Sequence, residues 1–83
     1  MVRMTIEMTE GALAAVHQDP DGFAREMRLA AAVKWFELEL ISQSRAAEIA
    51  GISRAEFLQE LGRFGVSPFQ ESLEDLRKEA GLV

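Results

Sequence analysis

The sequence predicts a mainly α-helical protein with a short N-terminal strand, a helix-turn-helix-like unit and an intertwined dimer as its assembly. Helix-capping residues recur along most of the chain, the clear period-two alternation lies in residues 1–8, and the second half of the longest predicted helix is apolar almost all round. We expect one domain over residues 1–83, with a strand in 1–8, a helical dimerisation part in 9–41, a helix-turn-helix-like part in 42–64 and a C-terminal partner-binding segment in 65–83.

Composition excludes several classes of protein. The 83 residues include no cysteine, so there is no disulfide framework, thiolate nucleophile or cysteine zinc site, which favours a cytoplasmic protein. No apolar run approaches the roughly 18–20 residues that span a bilayer, so we expect no membrane contact. A domain this small rarely encloses a large active site. We therefore expect no enzyme activity, no cofactor, no metal and no small-molecule substrate.

The net charge of −5, from 9 Lys+Arg and 14 Asp+Glu, argues at first against binding nucleic acid. The acidic excess lies at the two ends of the chain, however: residues 1–24 carry a net −3 and residues 64–83 a net −2. Residues 25–63 are neutral, with six basic and six acidic side chains. A segment with no net charge is compatible with a local basic face but does not require one.

The first eight residues alternate between apolar and polar side chains, as a half-buried strand does. A lone strand needs a partner, so we predict Met4, Ile6 and Met8 as dimer-interface residues. Paired strands of this kind can also lie in the major groove of DNA, which makes Arg3 and Thr5 weaker candidates for DNA contact. A strand that only pairs alternates in the same way, and we favour the structural dimer.

Helices are predicted to follow the strand. Thr9 is a suitable N-cap for a short helix over residues 11–17. The sequence Asp-Pro-Asp-Gly at 19–22 predicts a turn that ends this helix and starts the next. The longest helix is expected from Phe23 to Ile41. Its second half is too apolar for a small monomer to bury, and this predicts a second chain. The dimer-interface residues expected there are Trp35, Phe36 and Leu40.

The middle of the chain has the pattern of a helix-turn-helix unit. A helix from Ser42 to Ala50 is predicted to end at Gly51, and the capping box of Ser53 and Glu56 begins a second helix that ends near residue 63. The constellation that supports the unit is a polar residue, a small residue, a turn glycine and a bulky apolar residue, at Gln43, Ala47, Gly51 and Phe57. Proteins with three short helices use the same turn simply to fold, and that interpretation stays equally open.

If the unit binds DNA, its second helix enters the major groove. Arg and Gln side chains suit guanine and adenine edges. The acidic Glu56 and Glu60 on the same helix oppose DNA contact and favour a solvated face. The predicted DNA-binding residues are Arg45, Arg54, Gln59 and Arg63.

The C-terminal segment is short, acidic and sparsely apolar, and it cannot form a core alone. We predict Phe69, Leu73 and Leu76 as partner-binding residues, on a final short helix beginning after Ser72; folding back on the same domain is the alternative. His17 has no second histidine or cysteine beside it and is expected to be a helix-end residue rather than a ligand.

The runs FAREMRLAAAVKWFE, SRAAEIAGISRAEFLQELGRFGV and PF resemble uncharacterised protein family 0175, whose members are small prokaryotic proteins regarded as antitoxins. The resemblance covers nearly the whole chain and is most specific in AAEIAGISRAEFLQEL. It implies an antitoxin of a type II toxin-antitoxin pair, which neutralises a PIN-domain ribonuclease toxin through its C-terminal segment and binds its own operator DNA as a homodimer. The sequence departs from the family at LELIS, where similar proteins have a polar link containing glycine. The alternative function is a protein-interaction adaptor with the same fold that does not bind DNA.

Overall fold

The computed structural model describes residues 1–16 and 19–69 of the chain. These contain four α-helices, α1 (Glu10–Val16), α2 (Pro20–Glu37), α3 (Gln43–Ala50) and α4 (Arg54–Arg63). The prediction of a mainly α-helical fold is confirmed. None of the described helices is long and apolar enough to cross a membrane.

The predicted strand over residues 1–8 is wrong for the single chain. Residues 1–9 form neither helix nor strand and are exposed to solvent. The physical reason is that a strand is stabilised by hydrogen bonds to a neighbouring strand, and the described part of the chain contains no strand with which residues 1–8 could pair. Thr9 does begin α1 as predicted, since its hydroxyl accepts a hydrogen bond from the amide of Ala12 at 3.1 Å.

Both predicted ends of the long helix need correction. α2 begins at Pro20 rather than Phe23, because the Asp19 side chain accepts from the amide of Gly22 at 2.7 Å and proline at the first position already has a helical φ. It ends at Glu37 rather than Ile41. The 19–22 sequence starts the helix as predicted, but residues 20–22 belong to its first turn instead of preceding it.

Three helices end in the same way, with one residue in the left-handed region. These residues are Glu39 (φ 64°), Gly51 (φ 75°) and Gly65 (φ 68°). After α2, the amide of Leu40 donates to the carbonyl of Trp35 and that of Glu39 to Phe36, both at 2.9 Å. This pair of bonds is a Schellman motif, which usually has glycine at the left-handed position. Equivalent pairs of bonds follow α3 and α4.

The core lies between α2, α3 and α4. Phe36 and Phe57 meet edge to face, with ring centroids 5.7 Å apart and an interplanar angle of 87°. Small residues on α3 allow the helices to approach closely, as predicted for Ala47. The buried residues are Ala32, Val33 and Phe36 on α2, Ala46, Ala47 and Ala50 on α3, and Phe57 and Leu61 on α4.

Phe36 is the predicted interface residue whose position differs most from expectation. Only 1% of its surface is exposed in the single chain, so it belongs to the chain's own core and leaves no surface for a partner. The cause is the helix register: Phe36 lies three and four residues after Val33 and Ala32, on the face that α3 covers.

Candidate nucleic-acid and protein interface

α3 and α4 are each started by a serine. The Ser42 hydroxyl accepts from the amide of Arg45, and the Ser53 hydroxyl accepts from the amide of Glu56, both at 3.1 Å. The Glu56 carboxylate accepts in return from the Ser53 amide at 3.1 Å, completing the predicted capping box. The hydrogen bond from the Ser53 amide, with a second from its hydroxyl, lowers the pKa of the Glu56 carboxyl. The main role of Glu56 in the structure is therefore to cap the N-terminus of α4.

The end of α3 is held by Arg28 of α2, a residue to which the sequence assigned no functional role. Its Nε donates to the carbonyl of Ile49 at 2.7 Å and one terminal nitrogen reaches that of Glu48 at 3.5 Å. A cation at these last carbonyls of α3 also complements the helix dipole. A Cβ added at Gly51 would lie 3.1 Å from the same guanidinium. Gly51 is already explained by its left-handed φ, so no local sequence signal marked the contact with Arg28, whose partners lie 20 and 21 residues along the chain.

The first residues of α3 and α4 are joined through their side chains. Arg54 Nε donates to Gln43 Oε1 at 3.0 Å, and Gln43 Nε2 donates to the carbonyl of Pro68 at 2.6 Å. Two helix N-termini and the start of the C-terminal segment thus meet at one exposed surface. Among the described residues, no carboxylate pairs with Arg54.

The other two predicted DNA-binding arginines are occupied by carboxylates. Arg45 lies 2.8 Å from Glu48. Arg63 lies 2.7 Å from Glu60 and 3.1 Å from Glu26 on α2. The hydrogen bond to Glu60, with the charge of Glu26, raises the pKa of Arg63, as expected when anions stabilise a cation.

Gln59 and Arg63 share the outward face of α4, because they are four residues apart. The side chain of Gln59 is exposed and forms no hydrogen bond with the described residues. Leu58 and Phe64 are apolar but are each 37% exposed. The buried stripe of α4 therefore reduces to Phe57 and Leu61.

The remaining predicted interface residues are exposed in the single chain. Met4, Ile6 and Met8 lie in the N-terminal segment, together with the weaker DNA candidates Arg3 and Thr5. Trp35 lies in the last turn of α2 and Leu40 lies three residues beyond its end, and they are 44% and 67% exposed. The structure of one chain leaves their role in a dimer a prediction.

The C-terminal prediction is only partly within the described residues. Phe69 is 76% exposed, and its amide donates to the Ser67 hydroxyl at 3.2 Å. Leu73, Leu76 and His17 lie outside the described residues. In the part of the chain that is described, no three acidic, histidine or cysteine side chains gather as they would around a metal ion.

Short helices joined by a three-residue turn with a left-handed glycine define this chain as a small, mainly helical protein with a helix-turn-helix pattern in α3 and α4. The sequence model of Uncharacterised protein family (UPF0175) matches residues 1–83, and the chain belongs to that family. This confirms the resemblance seen in the sequence.

Curated relatives carry the same family name. A UPF0175 protein of Aeropyrum pernix is 45% identical over 58 residues, which is 70% of this chain and 73% of the relative. A second from the same organism is 31% identical over 77 residues, covering 93% and 81%. One from Archaeoglobus fulgidus is 40% identical over 58 residues, covering 70% and 66%. No solved structure gives a significant match.

Proposed function

We propose that the protein is an antitoxin: a homodimer that binds a PIN-domain ribonuclease toxin through its C-terminal segment and its operator DNA through α3 and α4. The observation that carries the DNA half is the bond of 3.0 Å between Arg54 and Gln43, which places both helix N-termini on one exposed surface. Helix-turn-helix proteins use the start of the second helix to reach base edges. The toxin half follows from the resemblance to antitoxins.

Arg54 and Gln59 are the residues that we assign to DNA contact. Arg54 has a neutral partner, so turning to a guanine or a phosphate breaks no ion pair. Gln59 is exposed on the outward face of α4 and is suited to an adenine edge. Arg45 and Arg63 would first have to leave their glutamates, which makes them poorer contacts than the sequence suggested.

DNA binding is tested by fluorescence anisotropy with a duplex from upstream of the gene, in a salt series. Arg54→Ala is compared with Arg25→Ala, which removes the same charge from an exposed position on α2. A base contact by Arg54 predicts a loss of about 1–3 kcal/mol that is confined to the operator. A phosphate contact instead reduces the log–log salt slope by about 0.9 on any duplex. Absence of binding by the wild type at low salt would refute the DNA half.

Toxin binding is tested by co-purification with the product of the neighbouring gene. Phe69→Ala should weaken the complex, because an exposed aromatic side chain is a typical anchor in a partner's pocket. Phe64→Ala is the matched control: it removes the same ring from a position where the ring lies 4.8 Å from the Arg63 guanidinium. Equal effects of the two variants would remove Phe69 from the proposed interface.

The second candidate function is a protein-interaction adaptor that does not bind DNA. The observation that favours it is the pairing of Arg45 and Arg63 with glutamates, which cancels much of the positive charge near α4. A stable complex with the neighbouring protein, together with no DNA binding at low salt, would select this function.

A further inference from the structure

We propose that residues 1–8, here called the N-terminal arm, pair antiparallel with the arm of a second copy of this chain in one specific register, centred on Thr5. The arm is exposed and forms no helix or strand in the single chain. It nevertheless carries strongly exposed apolar side chains, from 93% exposed at Val2 to 43% at Met8. An alternating segment that gains nothing within its own chain is suited to strand pairing.

The register follows from the charges. When two arms run antiparallel about Thr5, Arg3 of each copy lies directly opposite Glu7 of the other. The same register places Met4 opposite Ile6 and Val2 opposite Met8. Directly opposite residues share a face of the ribbon. One face is then entirely apolar, and the other carries two symmetric ion pairs.

Neighbouring registers lose this match. Sliding one arm by a single residue relative to the other places charged side chains opposite apolar ones, because side chains alternate with a period of two. Sliding one arm by two residues, so that the pair is centred on Met4 or Ile6, keeps the apolar and polar faces separate but leaves Arg3 opposite a threonine. A parallel, in-register pair sets each charge opposite its own kind, which is destabilising.

The backbone is compatible with this pairing. Glu39 is the only non-glycine residue with a positive φ among those described, so no arm residue lies in the left-handed region. Extended at about 3.3 Å per residue, eight residues reach about 26 Å, far enough to leave the chain's own helices. The start of α1 at Thr9 fixes where the arm ends.

The inference rests on the homodimer of the proposed function, and its test uses neither DNA nor toxin so that the two can fail separately. The dimer dissociation constant is measured by sedimentation equilibrium for the wild type, Arg3→Glu, Glu7→Arg and the double variant that carries both changes. Each single change should weaken the dimer about tenfold or more at low salt, which is about 1.4 kcal/mol. The double variant restores the pairing and should lie within about threefold of the wild type.

An equimolar mixture of the two single variants provides an internal control. The variants have opposite charges at both positions, so the mixed dimer is complementary and should form in preference to either homodimer. All these differences should shrink in about 1 M salt, where the Debye length is near 3 Å. Circular dichroism of each variant verifies that the helices are intact.

A cysteine variant tests the register directly, because the chain has no cysteine of its own. Thr5→Cys places a thiol opposite its own copy and should crosslink under mild oxidation. Met4→Cys is the control, since in this register its copies are diagonal neighbours about 7–8 Å apart and should crosslink several-fold more slowly. A wild-type monomer at millimolar concentration, single variants with unchanged affinity, a double variant without rescue, or equal crosslinking at both positions would each overturn the proposal.

Discussion

Changing the residue at each left-handed helix end should alter stability in a predictable order. Gly65→Ala and Gly51→Ala place a Cβ at φ values of 68° and 75°, whereas Glu39→Gly removes one at 64°. A Cβ at Gly65 meets no atom within 4 Å, so strain is the whole effect there. A Cβ at Gly51 also approaches the Arg28 guanidinium to 3.1 Å.

The magnitudes follow from two opposing terms. A side chain in the left-handed region costs about 1–2 kcal/mol, and replacing glycine recovers about 0.4–1 kcal/mol by restricting the unfolded chain. Gly65→Ala should therefore destabilise the fold by about 1 kcal/mol. Gly51→Ala should cost about 2 kcal/mol, because it also displaces the Arg28 hydrogen bond to Ile49, worth about 1 kcal/mol. Glu39→Gly should stabilise by up to about 1 kcal/mol.

The assay is urea unfolding followed by circular dichroism, with the thermal midpoint as a second measure. For a domain of this size, 1 kcal/mol shifts the midpoint by about 4–8 °C. A double variant of Gly51→Ala with Arg28→Ala should lose about 1 kcal/mol less than the sum of its parts, because both changes remove the same bond. Equal costs at Gly51 and Gly65 together with strict additivity would refute the assignment of Arg28 to the end of α3.

Three further outcomes are expected. Trp35 is the single tryptophan and is 44% exposed, so its emission should shift to shorter wavelength as the dimer forms; a concentration-independent spectrum would remove it from the interface. Glu56 has a lowered pKa, so the stability gained from its charge is full above the ordinary pKa of 4.5 and lost as pH falls through the folded value. The unfolding free energies of wild type and Glu56→Gln should accordingly converge as the pH falls through the lowered pKa of Glu56 in the folded state. Phe36→Leu and Phe57→Leu should show a coupling of about 0.5–1.5 kcal/mol in a double-mutant cycle, whereas a Phe36 outside the core would leave stability unchanged.

The α3–α4 unit could be predicted because its signals are local. Ser53 and Glu56 form the capping box within four residues of chain, and Gly51 marks its helix end by the conformation that it alone adopts cheaply. Phe57 and Ala47 were recognisable as core residues from their spacing. Each of these inferences needed only neighbours along the sequence.

The sequence did not predict features that depend on an unusual backbone conformation or on a group far along the chain. α2 ends at Glu37 because Glu39 adopts a left-handed φ, and a glutamate gives no sequence signal for that conformation. The role of Arg28 depends on carbonyls about 20 residues further along the chain. The alternation in residues 1–8 predicted a strand, but the described residues of a single chain offer it no hydrogen-bonded neighbour.

A dimer held together by the N-terminal arm would strengthen DNA binding by presenting two copies of the proposed contact surface. Of the three arginines predicted to contact DNA from α3 and α4, Arg54 is the one that pairs with no carboxylate of the described residues, and one such arginine would support weak binding at most. Two protomers held together present two copies, and the second contact then forms at a high effective concentration. Glu7→Arg makes the chain two charge units more positive, which by itself favours DNA. If the arm holds the dimer, this variant should nevertheless bind the operator more weakly than the wild type, and mixing it with Arg3→Glu should restore binding.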